Sequence, residues 1–185
     1  MALLYLVRHS ESAVDPSRSP SEWELTQRGL ELARKLARSQ EWKRMTAIGS
    51  SEEPKARVTA SLISERWNRP LVTDARFGEV NRPFAGKINE FEEAVTEYLK
   101  GGALPEWERI SDAANRFQAA LSDLRNGHSG DVAVVSHGTI MAVFLSRSLG
   151  IRFSGREWSK IAMPDVCVVD VEARRILRDW GNTRF

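Results

Sequence analysis

An uninterrupted apolar run at the start of this chain constrains its fold more than any other stretch. Leu3-Leu4-Tyr5-Leu6-Val7 is followed at once by Arg8 and His9. A continuous run of this kind is typical of a strand covered on both faces, as in a parallel sheet. In open α/β sheets, ligands bind beyond the carboxyl ends of such strands. We expect Arg8 and His9 to lie at a binding edge, although an ordinary solvated strand end fits this stretch alone equally well.

A second apolar run, residues 131–136, ends in the same kind of polar segment, His137-Gly138. Because the carboxyl ends of parallel strands share one edge of a sheet, two imidazoles and the guanidinium of Arg8 should reach one ligand. The planar fork of an arginine suits phosphate oxygens. A neutral histidine is a nucleophile near pH 7.

The rest of the chain alternates between helical and extended patterns. This alternation predicts an α/β fold, a three-layer α/β/α sandwich with a mostly parallel central sheet and an edge hairpin. A chain of 185 residues is expected to form one domain, 1–185, with a helical insertion at about 81–127 that covers the site. Helices are predicted from Thr26 onwards and at 54–67, 88–100, 105–126 (one or two) and 138–149, and further strands at 45–50, 70–73, 165–171 and 176–180.

Composition excludes several classes of function. A net charge of +2, with basic residues interspersed among acidic ones, argues against a nucleic-acid partner. We expect no membrane partner, because no segment has the roughly 20 apolar residues of a membrane helix.

Arg8 and His9 interrupt any leader-like stretch, and the single cysteine, Cys167, lies in an apolar run. We therefore expect a cytoplasmic protein with a buried, inert thiol. No His/Asp/Glu cluster indicates a metal, and no cofactor is expected.

Five short motifs resemble, in order and spacing, those of the histidine phosphatase superfamily, the phosphoglycerate mutase-like proteins. Arg8-His9-Ser10-Glu11-Ser12 is similar to the family's Arg-His-Gly-Glu-Thr/Ser, and Leu25-Thr26 with Gly29 to its Leu-Thr-x-x-Gly. Residues 50–60 resemble Ser-Ser-Pro-Leu-x-Arg-Ala-x-x-Thr-Ala. Phe77-x-Glu79 resembles Leu-x-Glu, and Ser136-His137-Gly138 the second-histidine motif. Together the five are specific, whereas any one alone is weak.

The resemblance implies a role for each matching residue. His9 is implied to be the nucleophile that forms a phosphohistidine, with Arg8, His137 and Lys55 around the phosphate. Glu79 is implied to protonate the leaving oxygen and then to assist the attacking water. Phosphoryl transfer mainly requires that the protein position the reactants and place positive charge around the transferred oxygens. Side chains can do both, so no metal is needed. The amide of Gly138, at a predicted helix start, is expected to add an oxyanion contact.

Two of the departures from the family pattern matter for the predicted phosphate site. Ser10 replaces glycine, and we expect its side chain to face the phosphate pocket, where the hydroxyl either binds an oxygen or crowds the site. Lys55 replaces arginine, which keeps the charge but loses the bidentate fork. Arg57 is not an evident substitute, because two residues along a helix point in different directions.

The leading hypothesis is a phosphatase that hydrolyses a small phosphorylated metabolite through a phosphohistidine. A phosphoprotein (phosphohistidine) phosphatase, which should have a shallow, open site, is the nearest alternative. A catalytically impaired phosphate-binding module is the other, motivated by Ser10 and Lys55. The final hairpin could pair with a second copy of the chain, so a homodimer is one possible assembly. Substrate choice is expected to lie in loop 12–24 and the insertion, with Arg18, Trp23, Arg82, Phe84 and Trp107 as the residues to consider.

Overall fold

The predicted α/β sandwich is confirmed by a computed structural model, which describes residues 2–83 and 88–183; Phe84 lies outside the described residues. A six-stranded sheet has the order β3-β2-β4-β1-β5-β6. The strands are β1 Leu4–Arg8, β2 Ala47–Ser50, β3 Leu71–Thr73, β4 Val132–Ser136, β5 Asp165–Asp170 and β6 Arg175–Arg178. The helices are α1 Gln27–Ala37, α2 Pro54–Trp67, α3 Ile88–Lys100, α4 Ile110–Gly127, α5 Gly138–Val143 and α6 Gly155–Trp158.

The centre of the sheet is parallel and one edge is antiparallel. β1 pairs with β4, β4 with β2, and β2 with β3, all in parallel. β5 runs antiparallel to β1 and turns back into β6, which is the predicted edge hairpin. In the β1–β4 register Arg8 stands opposite Ser136, so the residues that follow both strands emerge side by side.

Alternating side chains of the central strands bury two separate cores. Leu4 and Leu6 face the core that is packed by α3, α4 and α5, whereas Tyr5 and Val7 face the core packed by α1 and α2. Both strand faces are therefore covered, which explains why these strands read as continuous apolar runs rather than alternating ones. Among the described residues, no helix combines the length and the apolar character that crossing a bilayer requires.

Three local details of the fold refine the predicted elements. The second strand starts at Ala47, because Met45 still closes a 3₁₀ turn by donating its amide to Trp42. Gly101 ends α3 with a φ of 98°, a left-handed conformation that glycine adopts without a Cβ penalty. The helix predicted at 138–149 is α-helical only to Val143 and continues as a π-helical turn over Phe144–Ser148.

Candidate active site

A cavity of about 650 Å³ opens at the carboxyl ends of β1 and β4, where the sequence predicted a binding edge. The register of the two strands brings Arg8 and His9 next to His137 and Gly138. The sequence-predicted residues that line the cavity are Arg8, His9, Lys55, Glu79, His137 and Gly138. Residues distant in the chain therefore converge on one volume large enough for a small metabolite.

The hydrogen bond that His9 makes fixes its tautomer. Nδ1 lies 2.7 Å from the carbonyl oxygen of Ser10, and since a carbonyl only accepts, Nδ1 carries the proton. Nε2 then keeps its lone pair. Burial, followed by the charges and dipoles of His137, Arg8 and Lys55, holds the pKa of His9 well below its usual value. The imidazole is consequently neutral at pH 7, which is the form that attacks phosphorus.

The second histidine is held by two neighbours that follow β2. His137 Nε2 lies 3.0 Å from the Ser51 hydroxyl and 3.2 Å from Oε1 of Glu53. A carboxylate only accepts, so Nε2 is the protonated nitrogen of this ring. Burial, opposed by the Glu79 charge and assisted by Lys55 and Arg8, lowers the pKa of His137 to about 3.

Arg8 supplies the guanidinium that the sequence placed at this edge. One of its terminal nitrogens donates to the Ile161 carbonyl, and its Nε is buried without a partner among the described residues. A Cβ at Gly138 would stand 3.4 Å from this guanidinium and 3.1 Å from the Trp158 Nε1, so glycine allows both donors to approach. Burial lowers the pKa of Arg8 from its ordinary value, and the Glu79 and Asp165 charges oppose that shift.

Lys55 stands in the first turn of α2 and is buried. Its Nζ donates to the Pro20 carbonyl at 2.7 Å and forms an ion pair with Glu53. Arg57 is exposed two residues further on, as expected from the helical spacing. The cation at the wall of the cavity is therefore a lysine, and no arginine of α2 replaces it.

The structure corrects the expectation for Ser10. Its hydroxyl donates to the Gly29 carbonyl at 2.6 Å, its amide donates to Thr59 Oγ1 at 3.2 Å, and it is fully buried away from the cavity lining. The cause is the tight approach of the Glu11 backbone to Gly29, where a Cβ would meet the Glu11 oxygen at 2.0 Å. Ser10 therefore holds the loop that follows His9 against α1, and its side chain does not line the cavity.

Glu79 is fixed at the cavity wall by backbone amides. Oε1 accepts from Ile140 at 2.9 Å and from Val80 at 2.9 Å, and Oε2 accepts from Thr139 at 3.2 Å. The loop that carries it is held by Arg116 of α4, which donates to the carbonyls of residues 76, 78 and 79 at 2.7–2.9 Å. Arg116 also pairs with Glu108 through two nitrogens, at 2.7 and 2.8 Å.

Sequence reasoning missed three residues of this site. Glu53 was matched only as part of the motif at residues 50–60, and Arg116 was not singled out. The buried Trp158 was not singled out either, and it lines the cavity with an indole nitrogen that has no partner among the described residues. The departure of Glu53 from the family's leucine was a usable signal. Arg116 and Trp158 gave none, because their roles depend on loops far away in the chain.

Of the residues considered for substrate choice, Trp23 and Arg82 line the cavity. Arg82 lies over the Phe91 ring, 3.9 Å from its centroid, and 5.7 Å from that of Trp107. Arg18 and Trp107 do not belong to the lining. Within the described residues, no group of three His, Cys, Asp or Glu side chains is placed to hold a metal ion.

A comparison with protein families matches residues 4–183 to the histidine phosphatase superfamily (branch 1). A probable phosphoglycerate mutase GpmB of Yersinia pestis (strain Pestoides F) is 29% identical over 164 residues, which cover 82% of this chain and 76% of that protein.

Two solved structures share the fold. A mycobacterial glucosyl-3-phosphoglycerate phosphatase in complex with VO3 has a TM-score of 0.74 and 18% identity over 92% of this chain and 93% of that one. A phosphoserine phosphatase of Entamoeba histolytica, in complex with 3-phosphoglyceric acid, has a TM-score of 0.74 and 19% identity over 100% and 98%.

Proposed function

The chain belongs to the histidine phosphatase superfamily, and from that premise we propose that it hydrolyses phosphate monoesters of small metabolites through a phosphohistidine on His9. One observation carries the proposal. His9 is buried and neutral, with its proton on Nδ1, in a cavity that Arg8, Lys55, Glu79 and His137 also line. This arrangement supplies a nucleophile, cations for the phosphate oxygens and a carboxyl group for proton transfer.

In the first step, His9 Nε2 attacks phosphorus and the ester P–O bond breaks. Arg8, Lys55 and His137 face the transferred oxygens, and Glu79 gives a proton to the departing oxygen. General acid assistance of this kind typically contributes 10²–10⁴-fold. In the second step, Glu79 takes a proton from water, the oxygen attacks phosphorus, and the P–N bond breaks to release phosphate and neutral His9.

The volume and the walls of the cavity favour a small substrate over a phosphoprotein. The cavity has a volume of about 650 Å³, and Arg82 and Phe91, from the insertion, contribute to its wall. A site for a phosphohistidine on a protein surface is expected to be shallow and open. Phosphoglycerate and phosphoserine, which occur in the names of the relatives and structural neighbours, make the first panel of metabolites to test.

The test is turnover of p-nitrophenyl phosphate and of this panel by the wild type and by His9→Ala. We expect the wild type to release inorganic phosphate and the variant to lose turnover while it stays folded. Phosphate bound without turnover would support the non-catalytic module instead. With 3-phosphoglycerate, release of phosphate indicates hydrolysis, whereas transfer between its hydroxyl groups indicates a mutase.

A further inference from the structure

Glu53 places a carboxylate inside the cavity that the mechanism does not use. It is the N-cap residue of α2, yet its side chain accepts no capping hydrogen bond from the backbone amides of that helix. The side chain is only 14% exposed and lines the cavity. An acidic N-cap normally accepts from the first amides of its helix, so this carboxylate has been directed elsewhere.

The carboxylate is bound to groups that the mechanism assigns to the phosphate. Oε2 pairs with Lys55 Nζ, while Oε1 lies 3.2 Å from His137 Nε2 and accepts the Glu79 amide at 2.9 Å. Lys55 and His137 are two of the three side chains proposed to face the transferred oxygens. Arg8 instead donates to the Ile161 carbonyl, and its buried Nε, which has no partner within residues 2–83 and 88–183, remains available to a ligand.

The sequence shows that the carboxylate and the lysine depart from the family motif together. Aligned on Ser50-Ser51, the motif places leucine where this chain has Glu53 and arginine where it has Lys55. Leucine offers no acceptor, so an arginine at the second position would be free for phosphate. Here a carboxylate and an ammonium group satisfy one another within the site.

We propose that Glu53 is a resident competitor of the phosphoryl group: it holds Lys55 and His137 until a phosphate draws both away, and so sets a low affinity for phosphate. This inference rests on the proposed function, since it assumes that these two residues bind phosphate. A charged acceptor already in contact with the donors must be displaced, which weakens binding of an incoming anion. Release of the phosphate product is then assisted by return of the carboxylate.

The test is calorimetric titration of inorganic phosphate at one fixed, neutral pH, which requires no turnover. Glu53→Gln keeps the size of the side chain and removes its charge. We expect it to bind phosphate about tenfold more tightly, which is about 1.4 kcal/mol. The KM for p-nitrophenyl phosphate and the inhibition constant of phosphate should fall in parallel, with a smaller change in kcat.

The matched control is Glu52→Gln. Glu52 is the adjacent carboxylate, exposed at the mouth of the same cavity. The Glu52→Gln substitution removes an equal charge from the same loop and leaves the contacts of Lys55 and His137 in place. We expect the phosphate affinity of this variant to differ from that of the wild type by less than about twofold. An equal gain in both variants would mean that net charge alone governs binding, and would overturn the proposal.

Weaker phosphate binding by a folded Glu53→Gln would also overturn it, because Glu53 would then be holding Lys55 ready for the ligand. If the glutamine variant does not fold, Glu53→Leu, which restores the family residue, is tested in its place for tighter phosphate binding. Absence of phosphate binding in the wild type and in both Glu53 variants would count against competition between Glu53 and phosphate. Loss of the proposed function would appear separately, as wild-type protein that binds phosphate without hydrolysing any ester.

Discussion

The imidazole rings of His9 and His137 meet edge to face, with their centroids 5.0 Å apart and their planes at 61°. The pairing follows from the sheet, because the His9 amide donates to the Ser136 carbonyl at 3.0 Å and continues the β1–β4 ladder by one residue. Both rings are buried, and burial is the largest cause of the lowered pKa of each. Two neutral imidazoles therefore stand together at pH 7, one with a free Nε2 and one with a protonated Nε2.

The first prediction concerns the protonation of His9. Its pKa is lowered, so the ring binds a proton only well below its usual pH range and stays neutral under mildly acid conditions. We expect the imidazole ¹⁵N signals of His9 to keep the neutral pattern, with the proton on Nδ1, from about pH 7 down to about pH 5.5. The chain has three histidines, and His128→Gln identifies the third set of signals. A titration of His9 centred near 6.5 would contradict the assignment.

The second prediction concerns stability as a function of pH. In the unfolded chain His137 titrates near its ordinary value, whereas in the native protein its pKa is about 3. Between these values the unfolded state binds the extra proton, so the free energy of unfolding falls as the pH falls. The slope from this group is about 1.4 kcal/mol per pH unit.

Urea unfolding of the wild type and of His137→Gln at several values between about pH 6.5 and 4.5 measures this slope. Other titrating groups are common to both proteins, so the difference between the two curves isolates the histidine. We expect the wild type to lose stability on acidification faster than the variant. Parallel curves would show that His137 is protonated as easily in the native protein as in the unfolded chain.

The sequence predicted the parts of this protein that depend on strand order and strand ends. Apolar runs before His9 and His137 defined two covered strands, and the rule for parallel edges brought both histidines together. The prediction that the Ser10 side chain faces the cavity was wrong, because its direction depends on how closely the Glu11 backbone approaches Gly29. The contacts of Glu53 likewise depend on side chains from three separate segments, which no periodic pattern encodes.

The third prediction tests the corrected position of Ser10. Its hydroxyl donates to the Gly29 carbonyl at 2.6 Å, so Ser10→Ala removes a buried hydrogen bond but no phosphate contact. We expect a loss of about 0.5–1.5 kcal/mol in the free energy of unfolding, measured in urea. The KM for p-nitrophenyl phosphate should stay within about twofold, less than the loss of a phosphate contact would cause. A tenfold rise in KM without loss of stability would place the hydroxyl at the phosphate after all.

The fourth prediction separates the charge of Lys55 from its shape. Lys55→Gln removes a buried cation from the cavity wall, and we expect the KM for p-nitrophenyl phosphate to rise about 10–100-fold, the effect of losing a hydrogen bond to a charged group. Lys55→Arg keeps the charge and adds a planar fork, so it should retain more activity than the glutamine variant. An unchanged KM in Lys55→Gln would show that Lys55 does not bind the phosphate of the substrate.

The fifth prediction concerns Arg116, which positions Glu79 through the backbone of its loop and does not itself line the cavity. All five of its donor hydrogens have acceptors in the carbonyls of the Glu79 loop and in Glu108, whereas a lysine has three donors and no fork. Arg116→Lys should therefore leave Glu79 less well placed. An alkyl leaving group needs its proton, but p-nitrophenolate departs as a stable anion.

Comparison of two substrates makes that difference measurable. We compare kcat/KM, which reports only the step in which the ester P–O bond breaks, because hydrolysis of the phosphohistidine is common to both substrates. We expect kcat/KM for an alkyl phosphate to fall about tenfold or more in Arg116→Lys, with a smaller fall for p-nitrophenyl phosphate, since general acid assistance is worth 10²–10⁴-fold. The control is Arg125→Lys on the same helix, where the arginine pairs at 3.4 Å with Glu172 on the surface. Equal losses on both substrates would mean that Arg116 supports the fold alone, because a general loss of structure does not distinguish one leaving group from another.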